Sequence, residues 1–315
     1  MSEPGHPSHA APRIALLGAT RRSLAVLDEL ETLAPGATRT IVSFPEQGAE
    51  PRYFEDLRDR AGARGARFLE SKRLENAGEE LADGSLDAAF LVNWRYRIPL
   101  EALRARRGVF VFHDSLLPAY RGFSPTVWAI ANGERRTGAT LFRMAEEVDA
   151  GPIVDQEAVP IGPEETIGPV FERVTAAYRT LLARNLGAIL GGRAPEKPQD
   201  EGRVTYARRR TRDDDRIDWS RPSREIFDLI RAVTHPYPGA FGFLASRRLT
   251  VWSARLPAAG GRSGSRLPGR AVGARDGGVI VETGDGTLLI ETVQPEGGEE
   301  TRAADVLREL PAQLE

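Results

Sequence analysis

The sequence predicts a two-part α/β protein: a parallel sheet covered by helices on both faces, then a small all-β domain built as a barrel or a sandwich. Three observations predict it. Short apolar runs alternate with amphipathic helical stretches through the first two thirds of the chain. Two of those runs, Leu86 to Val92 and Gly108 to Phe112, are almost unbroken in apolar character, as strands covered on both faces are. Past residue 190 the helices give way to short β-rich runs separated by Gly and Asp turns. The length of 315 residues fits about two domains of ordinary size.

Element by element, a strand over Arg13 to Gly18 leads into a helix over Ser23 to Leu33, where Leu24, Leu27 and Leu30 recur at helical spacing. Thr40 to Phe44 is a strand, Tyr53 to Ala61 a charged amphipathic helix, and Arg67 to Leu69 a short strand. After the two apolar strands comes another over Thr137 to Met144. Strands alternating with helices imply βαβ units, and ligands of such sheets sit outside the carboxyl ends of the strands. That rule directs attention to Asn93-Trp94-Arg95-Tyr96 and His113-Asp114-Ser115. The polar stretch from Gly191 to Gly202 reads as a linker. Beyond it lie a helix over Ser223 to Val233 and β-runs over Gly239–Leu244, Arg248–Ala254, Gly269–Val272, Gly278–Glu282 and Thr287–Val293. The expected organisation is a disordered tail (1–12), a first domain (13–200) and a second (201–315), with a flexible loop over 258–268.

Composition excludes several function classes. With 43 Lys and Arg against 45 Asp and Glu, the net charge of −2 argues against nucleic acid as the default partner. No Cys is present, so disulfide scaffolds, thiolate metal sites and cysteine nucleophiles are excluded; a reducing, cytoplasmic location is expected. No apolar run approaches the roughly 20 residues that span a bilayer, and the first twelve residues lack the apolar centre of a secretory signal.

The chemistry lies between residues 111 and 151. Of four His, His6 and His9 fall in the tail, and His235 sits in a Thr-His-Pro-Tyr-Pro-Gly stretch that reads as a structural corner. His113 ends an apolar strand and precedes a Pro- and Gly-containing loop; a structural His and a functional one are both open there, and the position favours function. Asp149 lies in a small apolar turn, where a turn-capping role and a catalytic one are equally open.

The stretch HDSLLPAYRGFSPTVWAIANGERRTGATLFRMAEEVDAGPIV resembles the signature of the tetrahydrofolate-dependent formyltransferases, through SLLP, YRG, NGE with TG, and the DAG turn. Residues 206–243 and the segment LLIETVQPEGGEETRAADVL are similar to that family's C-terminal domain. The resemblance implies a Rossmann-like catalytic domain followed by a small OB-type β-barrel. It also implies a formyl donor, 10-formyltetrahydrofolate, and an amine acceptor. The family carries an Asn-x-His pair and an Asp in its DxG turn. His113 and Asp149 match; the Asn position is Val111, which has no donor to offer. Either Asn93, at the end of the neighbouring strand, supplies the contact, or it is absent and the chain is slow, inactive or suited to another one-carbon transfer such as carbamoyl transfer.

A neutral amine attacking a formyl carbon needs a group to take its proton and a donor to meet the developing oxyanion. His113 suits either task, and Asp149 would orient it and help receive the amine proton; no metal is required. The resemblance further implies that Arg95, Tyr96, Ile98, Val148 and Gly151 hold the folate and that Ser115, Tyr120, Arg121 and Gly122 line the acceptor. For Ser115 a capping role is the blander reading, and for Arg121 pinning its loop is the alternative to meeting an anion. No basic insertion follows Gly18-Ala19-Thr20-Arg21-Arg22, and Arg208-Arg209-Arg210 is offset by Asp213-Asp214-Asp215. Both features weaken methionyl-tRNA as the acceptor and leave a small-molecule amine, such as an amino sugar nucleotide or an amino-acid-derived precursor, as the expectation. A homodimer stays open.

Overall fold

The computed structural model describes residues 11–45, 53–74, 81–257, 267–308 and 311–315. Residues 1–10 of the expected tail and 258–266 of the expected loop lie outside them. The chain divides into two compact units. One comprises residues 1–121, 139–157 and 174–204, the other 122–138, 158–173 and 205–315.

The first unit is built on a sheet of seven strands in the order β3-β2-β1-β4-β5-β7-β8. In chain order the elements up to residue 190 are β1 (Ile14–Gly18), α1 (Arg21–Leu33), β2 (Thr38–Ser43), α2 (Phe54–Ala63), β3 (Arg67–Glu70), β4 (Ala88–Val92), β5 (Val109–His113), β6 (Arg121–Gly122), α3 (Pro125–Ala131), β7 (Arg136–Arg143), β8 (Ile153–Pro160) and α4 (Ile167–Leu190), of which α3 belongs to the second unit. The first five strands of that order pair in parallel, as expected. β7 departs from the all-parallel expectation, since it runs antiparallel to β5, with His113 opposite Thr140 and Phe110 opposite Arg143. An antiparallel neighbour needs no crossover helix, and the sequence between β5 and β7 holds only the two-residue β6 and the seven-residue α3.

Strand alternation sorts β5 into two faces. Phe110 and Phe112 pack with Phe90, and Phe112 stacks on Tyr178 of α4 with ring centroids 4.8 Å apart. Val109 and Val111 face the other way, into a cluster of Leu17, Leu91, Leu103 and Ile98 joined by Trp94 and Met144. His113 continues the Val109–Val111 face at the carboxyl end.

The stretch from 191 to 202 is not a free linker. Lys197 exchanges two backbone hydrogen bonds of 2.8 Å with Ile153 at the start of β8, so its polar backbone is satisfied by a strand edge. The long helix α4 and the strand β8 carry no counterpart in the sequence reading.

The second unit contains β9 (Tyr206–Ala207), α5 (Ser223–Val233), β10 (Ala240–Leu244), β11 (Arg247–Arg255), β12 (Arg270–Arg275), β13 (Gly278–Glu282), β14 (Thr287–Pro295), β15 (Thr301–Arg302), α6 (Ala303–Val306) and β16 (Ala312–Gln313). Its antiparallel sheet runs β10-β11-β14-β13-β12-β16. The two ends of that order meet, because Phe243 and Glu315 exchange backbone hydrogen bonds of 2.9 Å in both directions. The sheet thus curls on itself as a small barrel. Among the described residues no helix is long and apolar enough to cross a membrane.

Candidate active site

The site is assembled where β1, β4 and β5 end. Gly18 closes β1 so tightly on α1 that an added Cβ would lie 2.1 Å from Ser23 Oγ. Thr20 then starts α1, whose first turn carries Arg22. Arg22 is almost fully buried and donates from Nη1 to Asp114 Oδ2 at 2.6 Å. Asp114 also accepts from the Tyr178 hydroxyl and from Asn93 Nδ2, the latter at 3.2 Å. Burial, with the Asp114 carboxylate second, pushes the Tyr178 hydroxyl well above its ordinary ionisation range. Tyr178 is therefore a fixed donor.

Asn93 does not reach toward His113. Strict alternation after β4 would place it on the Leu91–Val111 face, but its φ of +51° breaks the alternation. Its amide nitrogen goes to Asp114 and, at 3.5 Å, to Tyr178. Asn93 is expected to supply the donor missing at Val111; here its amide nitrogen is turned toward Asp114 and Tyr178. Val111 itself lies half-buried between Leu91 of β4 and Phe142 of β7.

His113 is buried and held through Nε2, while Nδ1 faces a carboxylate. Nε2 lies 2.8 Å from the Tyr120 carbonyl, and Nδ1 lies 3.6 Å from Asp149 Oδ2. A carbonyl can only accept, so the neutral imidazole carries its hydrogen on Nε2 and presents the Nδ1 lone pair to Asp149. Both Tyr120 (φ +60°) and Asp149 (φ +55°) occupy the left-handed region, which a non-glycine residue enters at a cost of about 1–3 kcal/mol. Such conformations persist where surrounding contacts over-determine them.

Those contacts are specific. Thr140 of β7 donates to the Ser115 carbonyl at 2.6 Å and accepts from Leu117 N at 3.1 Å and Gln156 Nε2 at 2.8 Å. Gln156 also donates to the Leu117 carbonyl. Ser115 is buried, and its hydroxyl donates to the Ala119 carbonyl at 2.6 Å, in keeping with the loop-tying reading. Arg121 fits the alternative of pinning its loop: its side chain is fully buried, donating to Gln199 Oε1 and to both Glu201 carboxylate oxygens. Gly122 sits in β6 at φ +109°, with space for a Cβ blocked by the Ala207 carbonyl at 2.4 Å. Tyr120 contributes its carbonyl.

The residues expected at the folate are spread along the segment after β4 and the Asp149 turn. Trp94 and Tyr96 each meet the Phe44 ring edge-on at 5.1 Å. Ile98 is a core residue beside Leu91 and Val109, and Arg95 is exposed. Val148 is exposed, and Gly151 is required, since a Cβ there would lie 1.7 Å from the Arg143 carbonyl. Among the described residues the Trp94 indole N–H is buried without an acceptor. Within the second unit His235 stacks on Trp252 at 3.8 Å and meets Glu300 at 3.0 Å, as a structural corner would.

Comparison with known proteins decides what carries this arrangement. Two family models match, "Formyl transferase" over residues 51–186 and "Formyl transferase, C-terminal domain" over residues 210–311. The chain belongs to the formyltransferase family. Solved structures share the fold of this formyltransferase-family chain. WlaRD, a sugar 3N-formyltransferase crystallised in the presence of dTDP and 5-N-formyl-THF, superposes with a TM-score of 0.70 at 17% identity, covering 91% of this chain and 98% of that one. The N-formyltransferase from Helicobacter canadensis, in complex with folinic acid and dTDP-3-aminofucose, gives 0.69 at 16% identity over 89% and 98%. HypX from Aquifex aeolicus with tetrahydrofolic acid gives 0.60 at 20% identity, over 95% of this chain and 47% of that longer one.

Gln199, Thr140, Gln156 and Tyr178 escaped the sequence reading. They lie on a presumed linker, a strand interior and an unassigned helix, with no motif to mark them.

Proposed function

We propose that this chain transfers a formyl group from 10-formyltetrahydrofolate to a primary amine on a small molecule of the amino-sugar-nucleotide class. The observation that carries the reading is the His113–Asp149 pair at the carboxyl end of β5, in a chain of the formyltransferase family. Support for the donor comes from Trp94, whose buried N–H lacks an acceptor, and from Val148, which leaves apolar surface exposed beside the Asp149 turn. A flat heteroaromatic bearing acceptor atoms fits both needs. Trp94, Tyr96, Val148 and Gly151 would hold it, and when bound it supplies the formyl carbon.

The chain's own residues do the rest. His113 Nδ1 and Asp149 Oδ2 are two acceptors facing one space 3.6 Å across. An amine nitrogen entering beside them finds acceptors for its hydrogens and is oriented with its lone pair free. His113 takes a proton on Nδ1 as the new carbon–nitrogen bond forms, while its Nε2–H stays on the Tyr120 carbonyl. Asp149 then faces an imidazolium and stabilises it. His113 can return that proton to the leaving nitrogen.

The acceptor class rests on the sugar N-formyltransferases among the similar structures and on the balanced charge, which offers little to a polyanionic tRNA. The test is formyl transfer from 10-formyltetrahydrofolate to a panel of dTDP- and UDP-linked amino sugars, free amines and initiator tRNA. A product heavier by one formyl group on an amino sugar nucleotide supports the reading. Transfer to tRNA alone, or transfer of carbamoyl in place of formyl, would replace it.

A further inference from the structure

His113, Tyr120, Arg121, Gln199 and Asp149 form a closed ring of contacts. His113 Nε2 meets the Tyr120 carbonyl at 2.8 Å. The next residue, Arg121, sends Nε and Nη2 to Gln199 Oε1 at 3.1 and 2.9 Å. Gln199 Nε2 donates to the Asp149 carbonyl at 2.7 Å and to the Gly151 carbonyl at 2.8 Å. The ring closes where Asp149 Oδ2 faces His113 Nδ1.

Each member is oriented by its neighbour. A guanidinium can only donate, so Gln199 must turn its oxygen to Arg121 and its NH2 to the turn. Both amide hydrogens are then spent on the carbonyls of Asp149, itself in the left-handed region, and of Gly151. Arg121 is anchored in turn by Glu201, which it meets at 2.7 and 3.3 Å. Side chains fixed in this way hold reacting groups to within a fraction of an ångström, and a misplacement of about 1 Å can cost 10²-fold in rate.

We propose that Gln199 is a positioning residue: it holds the Asp149 turn against the loop that orients His113, and so sets the His113–Asp149 separation. The role rests on the assignment of His113 and Asp149 to proton transfer, and the experiment separates the two claims. Gln199→Glu is the informative variant. It keeps size and the contact to Arg121, but it sets a carboxylate oxygen against the Asp149 and Gly151 carbonyls where a donor stood.

Two readouts are compared in Gln199→Glu, Asp149→Asn and the double variant, each checked for its fold by thermal unfolding. The first is kcat and KM for formyl transfer. Gln199→Glu is expected to lower kcat about 10- to 100-fold with KM nearly unchanged. In the Asp149→Asn background it should cost less than about threefold, because a residue that acts through Asp149 has nothing left to position. The second readout needs no acceptor: the nitrogen NMR shifts of the His113 imidazole, assigned with His113→Asn. Gln199→Glu should move the Nδ1 signal in the direction that Asp149→Asn moves it. Multiplicative rate effects, or an unmoved Nδ1 signal in a folded Gln199→Glu protein, would overturn the proposal and leave Gln199 as a fold element. Should Gln199→Glu fail to fold, Gln199→Asn, one methylene too short to span both sides, carries the same comparison. Absence of transfer to every amine in the wild-type protein would count against the proposed function, and the NMR comparison would still decide the role of Gln199.

Discussion

The His113 ring lies between two fixed oxygens, the Tyr120 carbonyl 2.8 Å from Nε2 and the Asp149 carboxylate 3.6 Å from Nδ1. The first contact sets the tautomer. The second leaves a lone pair and a carboxylate facing the same space. Under the proposed function this pair handles the proton, and the donor supplies the formyl carbon.

His113→Asn keeps polarity but removes the ring nitrogen that faces Asp149. Turnover is expected to fall about 10²- to 10⁴-fold, with thermal unfolding little changed. A steady-state assay beside a melting curve checks this; near-normal turnover would remove His113 from the reaction.

Asp149→Asn keeps size while deleting the charge opposite Nδ1. With the carboxylate gone, nothing stabilises the positive ring formed as His113 takes the amine proton, so turnover should fall by about 10²-fold with thermal unfolding little changed. Unchanged turnover would leave Asp149 as a turn residue.

Val111→Asn adds a donor on the face that carries His113, at a half-buried position between Leu91 and Phe142. A missing oxyanion donor costs about 10²–10³ in rate. The variant should therefore transfer formyl faster than the wild type, at a stability cost of about 1–3 kcal/mol if its amide is incompletely paired. Lower stability with no gain in rate would show an apolar pocket shaped for other chemistry. Asn93→Ala, by contrast, should act mainly on stability, because its amide serves Asp114 and Tyr178.

Tyr178→Phe removes a hydrogen bond to a charged acceptor and should cost about 1.5–3 kcal/mol at pH 7. Burial raises the ionisation of Tyr178 above its unfolded value near 10. The sign follows: the contribution is complete below about pH 10 and is lost as pH rises further, because only the unfolded chain releases the proton. The stability gap between wild type and Tyr178→Phe should thus narrow above pH 10 in denaturant titrations. A gap that widened with pH would place the ionised hydroxyl in the folded state.

Much of this was legible in the sequence, for physical reasons. Leu86 to Val92 and Gly108 to Phe112 announce buried parallel strands because no polar residue could face either covering layer, and His113 stands out because it ends such a strand. Periodicity says nothing about a residue that leaves the repeat. Asn93 reads as a continuation of its strand face, and one positive φ turns it to the other side. Arg121 reads as a charge for an anion, yet its partners, Gln199 and Glu201, lie about eighty positions later in a stretch with linker composition. Polar contacts of that separation leave no local pattern.

The central claim is that His113 and Asp149 carry formyl transfer to an amine. It is tested most directly by incubating wild type, His113→Asn and Asp149→Asn with 10-formyltetrahydrofolate and an amino sugar nucleotide panel, and reading the acceptor by mass spectrometry. The account predicts a formylated amino sugar with the wild type and a rate at least about 10²-fold lower with His113→Asn. A formylated product formed at equal rates by all three proteins would contradict it.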